Sequence, residues 1–264
     1  MAYLYETHLH TKESSACGVS SGREYVKKYL DLGYTGIIIT DHFFNGNCAA
    51  DRSLSWEKWV HRFCRGYEAA CEEGVRRGLD VFLGWEETFA GDDYLVYGLD
   101  KPWLLEHPEA AHWNRRQQFE EVSRYGGCVV QAHPFRQNYY INYIYLSTGC
   151  VHAVEAANAG NSDQSYDALA WMYAKKLALP ITAGSDIHCA GDIRPGVAFG
   201  VYLDNKMESI ADYVAAVKSN TIRELRIPPG RCTMRGNERV FLPVDIRDSR
   251  DKHTGSNLAE FFEG

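Results

Sequence analysis

Basic charge is scarce in this chain. Twenty-eight lysines and arginines face 35 aspartates and glutamates, for a formal net charge of -7 and a pI near 5.8. Nucleic-acid backbones and anionic membrane surfaces recruit basic faces, so this balance argues against a general binder of either. It leaves room for a local small-anion site, above all where bound metals supply the positive charge. Paired cysteine motifs are missing as well. The eight cysteines, Cys17, Cys48, Cys64, Cys71, Cys128, Cys150, Cys189 and Cys232, are scattered with no CxxC spacing. That pattern speaks for reduced cytosolic thiols over a disulfide framework. No apolar run approaches the roughly 20 residues of a membrane span. The opening Met1-Ala2-Tyr3-Leu4-Tyr5-Glu6 lacks a basic stretch followed by a long apolar one, so no signal peptide is expected. Neither a solenoid repeat nor a low-complexity tract occurs.

What is present is ordinary globular material, 45% hydrophobic and 24% charged over 264 residues. A chain of this size buries a substantial core, and an α/β barrel of this length can be a single domain. Its pattern is organised around Glu6-Thr7-His8-Leu9-His10, which follows the short apolar run Tyr3-Leu4-Tyr5. In extended backbone, residues two apart point to the same side, so His8 and His10 would converge on one point. Two converging imidazoles suit a divalent metal.

The same event then repeats. A helical pattern over Arg23–Leu32 leads to the β-branched run Gly36–Thr40, which ends in Asp41-His42. A long helix from Leu54 to about Arg77, whose aromatic stripe reads as core packing, leads to Leu79–Gly84 and then Trp85-Glu86-Glu87. Asp92-Asp93 precede the short strand Tyr94–Gly98, and Leu104–Tyr125 is mainly helical, broken near Pro108. Cys128–Gln131 ends in Ala132-His133-Pro134. The tyrosine-rich Tyr139–Leu146 either lines a pocket or packs against the barrel, with packing slightly preferred. Val151–Glu155, a helix over Gln164–Leu177 and the strand Pro180–Ala183 follow, the last ending in Gly184-Ser185-Asp186-Ile187-His188. Val197–Leu203 reads as one more strand, Ser209–Ser219 as a helix, and the tail after Pro228 as a surface extension. This alternation predicts parallel βα units, and seven of them point to a closed barrel, with an open sheet as the alternative. In barrels the chemistry lies at the C-terminal ends of the strands.

The candidates are therefore His8, His10, Asp41, His42, Glu86, Asp93, His133, Glu155, Asp186 and His188. Mixed nitrogen and oxygen donors suit Zn²⁺, Mn²⁺ or Fe²⁺ over Ca²⁺ or a structural zinc. There are more donors than one ion needs, so two or three ions are implied, and Glu86 can bridge two of them. Paired ions of this kind serve phosphoester hydrolysis, by acidifying water and by holding phosphate oxygens. Arg136 and Arg194 each follow a donor motif closely and could bind substrate phosphate as a bidentate fork.

Taken together, His8-Leu9-His10, Thr40-Asp41-His42, Gly84-Trp85-Glu86, Ala132-His133-Pro134 and Gly184-Ser185-Asp186-Ile187-His188 resemble the successive motifs of the polymerase and histidinol phosphatase (PHP) family. The resemblance runs over residues 3 to 200. It implies a distorted (β/α)7 barrel related to the TIM barrel, a trinuclear metal site and phosphoesterase activity. It implies a barrel over residues 1–228, with 229–264 as an extension of the same domain. By position, His8, His10, Glu86 and Asp186 would hold one ion, Glu86, Asp93 and His133 a second, and His42 and His188 a third. Asp93 stands where many members carry a histidine. Members also often supply a ligand from the loop after the first motif; here the matching position is Ala16, with Glu13 as the candidate substitute. Without one, the site is dinuclear or its third ion is weakly held. Asp41 is read as orienting a ligand rather than being one.

Two other enzyme readings compete. Cys17-Gly18-Val19-Ser20-Ser21-Gly22-Arg23 has the C-x₅-R spacing of cysteine-dependent phosphatases, but no apolar strand leads into Cys17 and Glu24 follows where a hydroxyl residue is usual. Metal-dependent amidohydrolases also open on HxH, but usually with eight strands and often a bridging lysine, and no lysine lies between Asp93 and Gly98. A non-catalytic, metal-binding regulatory module is the third alternative. The expectation is a cytoplasmic metal-dependent phosphatase acting on a small phosphorylated substrate, without nucleic-acid or membrane partners. Asp186 or His188 would help orient the attacking water.

Overall fold

A computed structural model describes residues 2–263. Its elements, in chain order, begin with β1 (Tyr3–Glu6), α1 (Gly22–Asp31), β2 (Gly36–Ile39), α2 (Trp56–Phe63), α3 (Arg65–Arg77), β3 (Asp80–Thr88) and β4 (Asp93–Tyr97). Next come α4 (Lys101–Glu106), α5 (Arg115–Arg124), β5 (Cys128–Gln131), β6 (Ile144–Ser147), β7 (Ala153–Asn158), α6 (Ser165–Lys176) and β8 (Ile181–Gly184). The chain finishes with β9 (Gly200–Leu203), α7 (Ile210–Lys218), β10 (Glu224–Arg226), β11 (Val244–Arg247), β12 (His253–Gly255) and α8 (Leu258–Glu263).

One nine-stranded sheet runs β10-β9-β1-β2-β3-β4-β5-β7-β8, and its last seven members curl into a nearly closed barrel. Past the ends of β1 and β8 the ring is completed by the parallel bridge Leu9–Ile187, with His10 N–H donating to the Ile187 carbonyl and Asp186 N–H to that of His8. Leu9 and Ile187 are buried in one apolar cluster with Tyr25, Val26 and Ile39. With Leu9 turned into that core, His8 and His10 face the barrel mouth, as alternation requires. Fully buried runs such as Gly36–Ile39 and Cys128–Gln131 are what a two-sided barrel strand demands.

The structure corrects four expectations. The fourth strand is antiparallel to both neighbours, β3 and β5. Only a tight turn separates Thr88 from Asp93, closed by Phe89 N–H on the Asp92 carbonyl. A parallel return needs a crossover of a dozen or more residues, so this link must make a hairpin. The reversal puts Asp93, at the start of β4, at the same mouth as Glu86, near the end of β3.

The single helix over 54–77 is two helices. Ser14 inserts at the break, its hydroxyl donating to the Phe63 carbonyl and accepting from Gly66 N–H. The aromatic stripe of α2 is core, as expected: Trp59 and Phe63 are buried with Phe43 and Trp85.

The tyrosine segment divides between its two readings, against the preference for packing throughout. Ile144 and Leu146 are buried in β6, but Tyr139 and Tyr140 are exposed, 94% and 54%, and line the cavity at the barrel mouth. Finally, the tail is built into the fold: β11 pairs in parallel with β6, and Val244 and Ile246 join the core beside Phe135 and Tyr173. Of the spans 1–228 and 229–264, Met1 and Gly264 lie outside the described residues. All eight cysteines are free thiols. Among the described residues, no helix is long and apolar enough to cross a membrane.

Candidate metal centre

Four donors from three strand ends meet at the centre of the mouth. His8 Nε2 lies 3.2 Å from His10 Nε2, 3.2 Å from Glu86 Oε1 and 3.5 Å from Asp186 Oδ1. His10 Nε2 lies 3.1 Å from Asp186 Oδ1 and 3.4 Å from Glu86 Oε2. Metal–donor bonds of about 2.0–2.1 Å in tetrahedral array place donor atoms about 3.4 Å apart. The five observed spacings, 3.1–3.5 Å, are close to that separation.

Hydrogen bonds behind the rings fix which nitrogen faces inward. His8 Nδ1 contacts Glu155 Oε1 at 2.9 Å. A carboxylate can only accept there, so Nδ1 carries the proton and Nε2 of the neutral ring is bare. The Ser15 hydroxyl donates to Asp41 Oδ1 at 2.6 Å and so receives His10 Nδ1–H, 3.2 Å away. Two bare ring nitrogens facing each other at 3.2 Å repel unless a cation or a proton lies between them. This carboxylate-behind-histidine arrangement is the usual support of a metal-binding imidazole.

Two further groups flank the first. Glu86, Asp93 and His133 bring donor atoms together on one side, with His133 Nε2 3.2 Å from Glu86 Oε1 and 3.8 Å from Asp93 Oδ2. His10, His42 and His188 converge on the other. There His42 Nδ1 is 2.8 Å from Glu86 Oε2, yet neither atom has a hydrogen-bond partner and both are buried. Glu86 thus reaches all three groups. His188 Nδ1 contacts the Asp186 carbonyl at 2.9 Å, which leaves Nε2 of the neutral ring bare.

Electrostatics point the same way. Glu6, Asp41, Glu86, Glu87 and Glu155 are all at most 2% exposed in this region. Buried carboxylates in such number need cations or dense hydrogen bonding. Burial pushes Glu86 up, but His8 and His42 outweigh it and hold it well below the usual carboxylate range. Asp186 behaves likewise, with Arg136 and then His8 as the counter-charges. Burial raises Asp93 to about 6, with the Glu86 charge adding to it. For His10, burial and then His42 and His188 push the ring well below its ordinary value, which keeps it neutral and able to act as a ligand. The donor set therefore fits divalent cations.

The backbone is bent to achieve this. His133 and Asp186 take left-handed conformations, φ 27° and 52°, which few non-glycine residues adopt. Such departures cluster where a site needs a side chain re-aimed. At Glu155 the β7–β8 register shifts, a bulge of the kind found beside sites.

Other sequence candidates stand differently. Asp41 accepts from Thr11 N–H, Thr11 Oγ1 and Ser15 Oγ and lies behind the donors; burial lifts it to about 7. Glu13 does not join the cluster. Its carboxylate accepts from Gly22 N–H at the start of α1. Arg136 lines the cavity, but Nη1 is 2.6 Å from Asp186 Oδ2 while Nε and Nη2 bind Asn161 and Asn158. Arg194 is exposed and does not line the cavity. The C-x₅-R loop forms no phosphate cradle, since Arg23 is paired with Glu72 on α3.

Two contributors were given no place among the donors from sequence. Glu6 accepts from Thr7, His8 and Ser185 N–H and from the Tyr29 and Ser185 hydroxyls, tying the end of β1 to the loop after β8; burial lifts it to about 6. A carboxylate closing an apolar strand was its only signal. Cys17 lines the cavity beside His42 and His188. Burial pushes its thiol up, but those imidazoles, His188 first, outweigh it and bring it down to about 6.

Above the donors lies a cavity of about 530 Å³, walled by Asn45, Thr88, Arg136, Tyr139 and Tyr140. No protein-family profile matches the sequence, and no curated protein resembles it in sequence. Solved structures do match. A two-domain protein from Bacteroides vulgatus, containing a predicted PHP-like metal-dependent phosphoesterase, superposes with a TM-score of 0.57 at 17% identity, over 83% of this chain and 63% of that one. The present chain thus spans less than two thirds of that protein. PsfC from Pseudomonas syringae gives 0.49 at 14% identity over 88% and 93% of the two chains. An amidohydrolase from Chromobacterium violaceum, with bound sulfate and no metal, gives 0.49 at 13% over 80% and 96%. By its likeness to the Bacteroides protein, this chain has the PHP-like barrel fold.

Proposed function

We propose that the chain is a metal-dependent phosphoesterase that hydrolyses a small phosphomonoester. The observation that carries this reading is the pair of imidazole nitrogens of His8 and His10 facing each other 3.2 Å apart, with carboxylate oxygens of Glu86 and Asp186 at 3.1–3.5 Å and an open cavity above. His8, His10, Glu86 and Asp186 would hold one ion, Glu86, Asp93 and His133 a second, and His42 and His188 a third. Zn²⁺, Mn²⁺ and Fe²⁺ suit these donors. When bound, such ions acidify water and neutralise phosphate oxygens.

The chain's own residues do the rest. Arg136 fixes Asp186 through Oδ2, so that Oδ1 faces the donors. The same guanidinium puts positive charge on the cavity wall, where it favours a phosphate. His188, one third exposed with Nδ1 held by the Asp186 carbonyl, has Nε2 left to face the third ion beside His42. Tyr139 and Tyr140 would meet the leaving group.

The test is elemental analysis of the purified protein coupled to a phosphomonoester screen with each of the three ions. Chelation should abolish turnover, one of the ions should restore it, and His8→Ala should remove it without unfolding the chain. Turnover of amides or lactones alone would favour the amidohydrolase alternative. Metal uptake without turnover would favour a regulatory module.

A further inference from the structure

We infer that Cys17 supplies a sulfur ligand to the ion held by His42 and His188, making that position a mixed imidazole, carboxylate and thiolate site. The inference rests on the metal-centre reading above and adds a donor that no histidine, aspartate or glutamate motif contains.

The loop after β1 is held so that Cys17 has little freedom to face elsewhere. Ser15 bridges to Cys48, Ala16 N–H donates to the Asn47 carbonyl and Val19 N–H to that of His188. Gly18 N–H closes a turn on the Ser15 carbonyl. A Cβ on Gly18 would come within 2.4 Å of the Thr11 backbone, so only glycine allows the turn to lie this close. Pinned on both sides of Cys17, the loop aims the thiol at the imidazoles of His42 and His188, on the cavity wall they share.

A second observation marks that spot independently of the cysteine. Glu86 is 1% exposed, and its Oε2 has no hydrogen-bond partner. It points instead at His42 Nδ1, 2.8 Å away, which is itself buried without a partner. A buried carboxylate oxygen is costly unless a cation or a hydrogen bond meets it. His10, His42 and His188 bring donor atoms together at that spot, and Cys17 lines the same cavity wall as His42 and His188. Glu13, the other candidate for this role, is spent on Gly22. A thiolate among imidazoles biases the position toward Zn²⁺ or Fe²⁺ over Mg²⁺ or Ca²⁺.

The full chain, stripped of metal and titrated with Co²⁺, provides the test. A near-ultraviolet sulfur-to-cobalt charge-transfer band should grow in, and Cys17→Ser should lack it and lose one bound equivalent per chain on dialysis. Wild-type protein that takes up cobalt without the band overturns this inference and leaves the metal centre standing; protein that takes up no cobalt at all overturns both. A band that persists in Cys17→Ser assigns the sulfur elsewhere and also overturns it. Should Cys17→Ser fold poorly, alkylation of the wild-type chain decides: peptide mapping should show Cys17 protected from iodoacetamide by Zn²⁺, and equal labelling with and without the ion refutes the inference.

Discussion

At the scale of single residues, the centre depends on what stands behind the donors. Glu155 Oε1 receives His8 Nδ1–H, while Oε2 receives Asn158 Nδ2–H and His133 N–H. Both oxygens are acceptors only, which a carboxylate satisfies and an amide does not. In Glu155→Gln the amide nitrogen must oppose at least one of these donors. We expect metal affinity to fall about 10–100-fold, as for other groups that orient a ligand. Competition with a chromophoric chelator measures it, and unchanged affinity would mean that Glu155 serves the fold alone. Protons compete at the same atoms. Burial pushes His8 down, but the charges of Glu155, Asp186 and Glu86 outweigh it and lift the ring well above its ordinary value. The metal-free protein therefore holds a proton at His8 at neutral pH, and an ion must displace it. Metal binding should release protons and weaken as pH falls. Calorimetric titration in two buffers of different ionisation enthalpy reads the proton count; identical heats in both would contradict this linkage.

At the scale of elements, the centre is only as exact as the joint between β1 and β8. A Cβ on Gly184 would lie 2.4 Å from His8 Cβ and 2.7 Å from Glu155 Oε1. Gly184→Ala should push His8 out of the cage, costing about 1–3 kcal/mol of stability from overpacking, and should lower the bound metal count. Gly191→Ala, whose Cβ meets nothing closer than the Cys189 sulfur at 3.4 Å, is the control. Equal metal content and melting temperature in the two variants would show that the joint tolerates the extra atom. This joint also shows what could be read in advance. β1, β2, β3, β5 and β8 were legible because each is a short apolar run that stops at or just before a histidine or carboxylate. The direction of β4 was legible only from loop length, since periodicity carries no polarity. Ser14 breaking the helix after Phe63, Glu6 gathering N–H groups from β1 and the loop after β8, and Asn158 and Asn161 occupying Arg136 are contacts between distant segments. Single-residue chemistry does not announce such contacts. Cys17, read from sequence only as part of a C-x₅-R motif, had its place beside His42 and His188 hidden for the same reason, because its loop is fixed by hydrogen bonds to Asn47 and His188 rather than by its own neighbours in sequence.

For the molecule as a whole, the mouth of the barrel opposes the rest of the fold until it is neutralised. The close-set ring nitrogens of His8 and His10, the partnerless oxygen of Glu86 and the left-handed turns at His133 and Asp186 all lie at one end. The opposite end and the flanks are conventional core, reinforced where β11 and α8 of the tail close over β6 and α6. An ion that binds only the folded chain stabilises it by mass action, about 2.7 kcal/mol at a free concentration 100 times its dissociation constant. For a chain of this size that is a rise in Tm of about 5–10 °C. The rise should also depend on pH, with a sign set by His8. A raised imidazole pKa adds stability to the metal-free fold below about 6.5, and that contribution is lost as pH climbs through the folded value. The loaded fold has exchanged the proton for an ion and does not lose it. The gap in Tm between loaded and chelated protein should therefore widen from pH 6 to pH 8, as scanning calorimetry at fixed free metal would show. A gap that narrows over that interval would mean that the proton on His8 does not compete with the ion, and the central cage would then have to be assigned to other atoms.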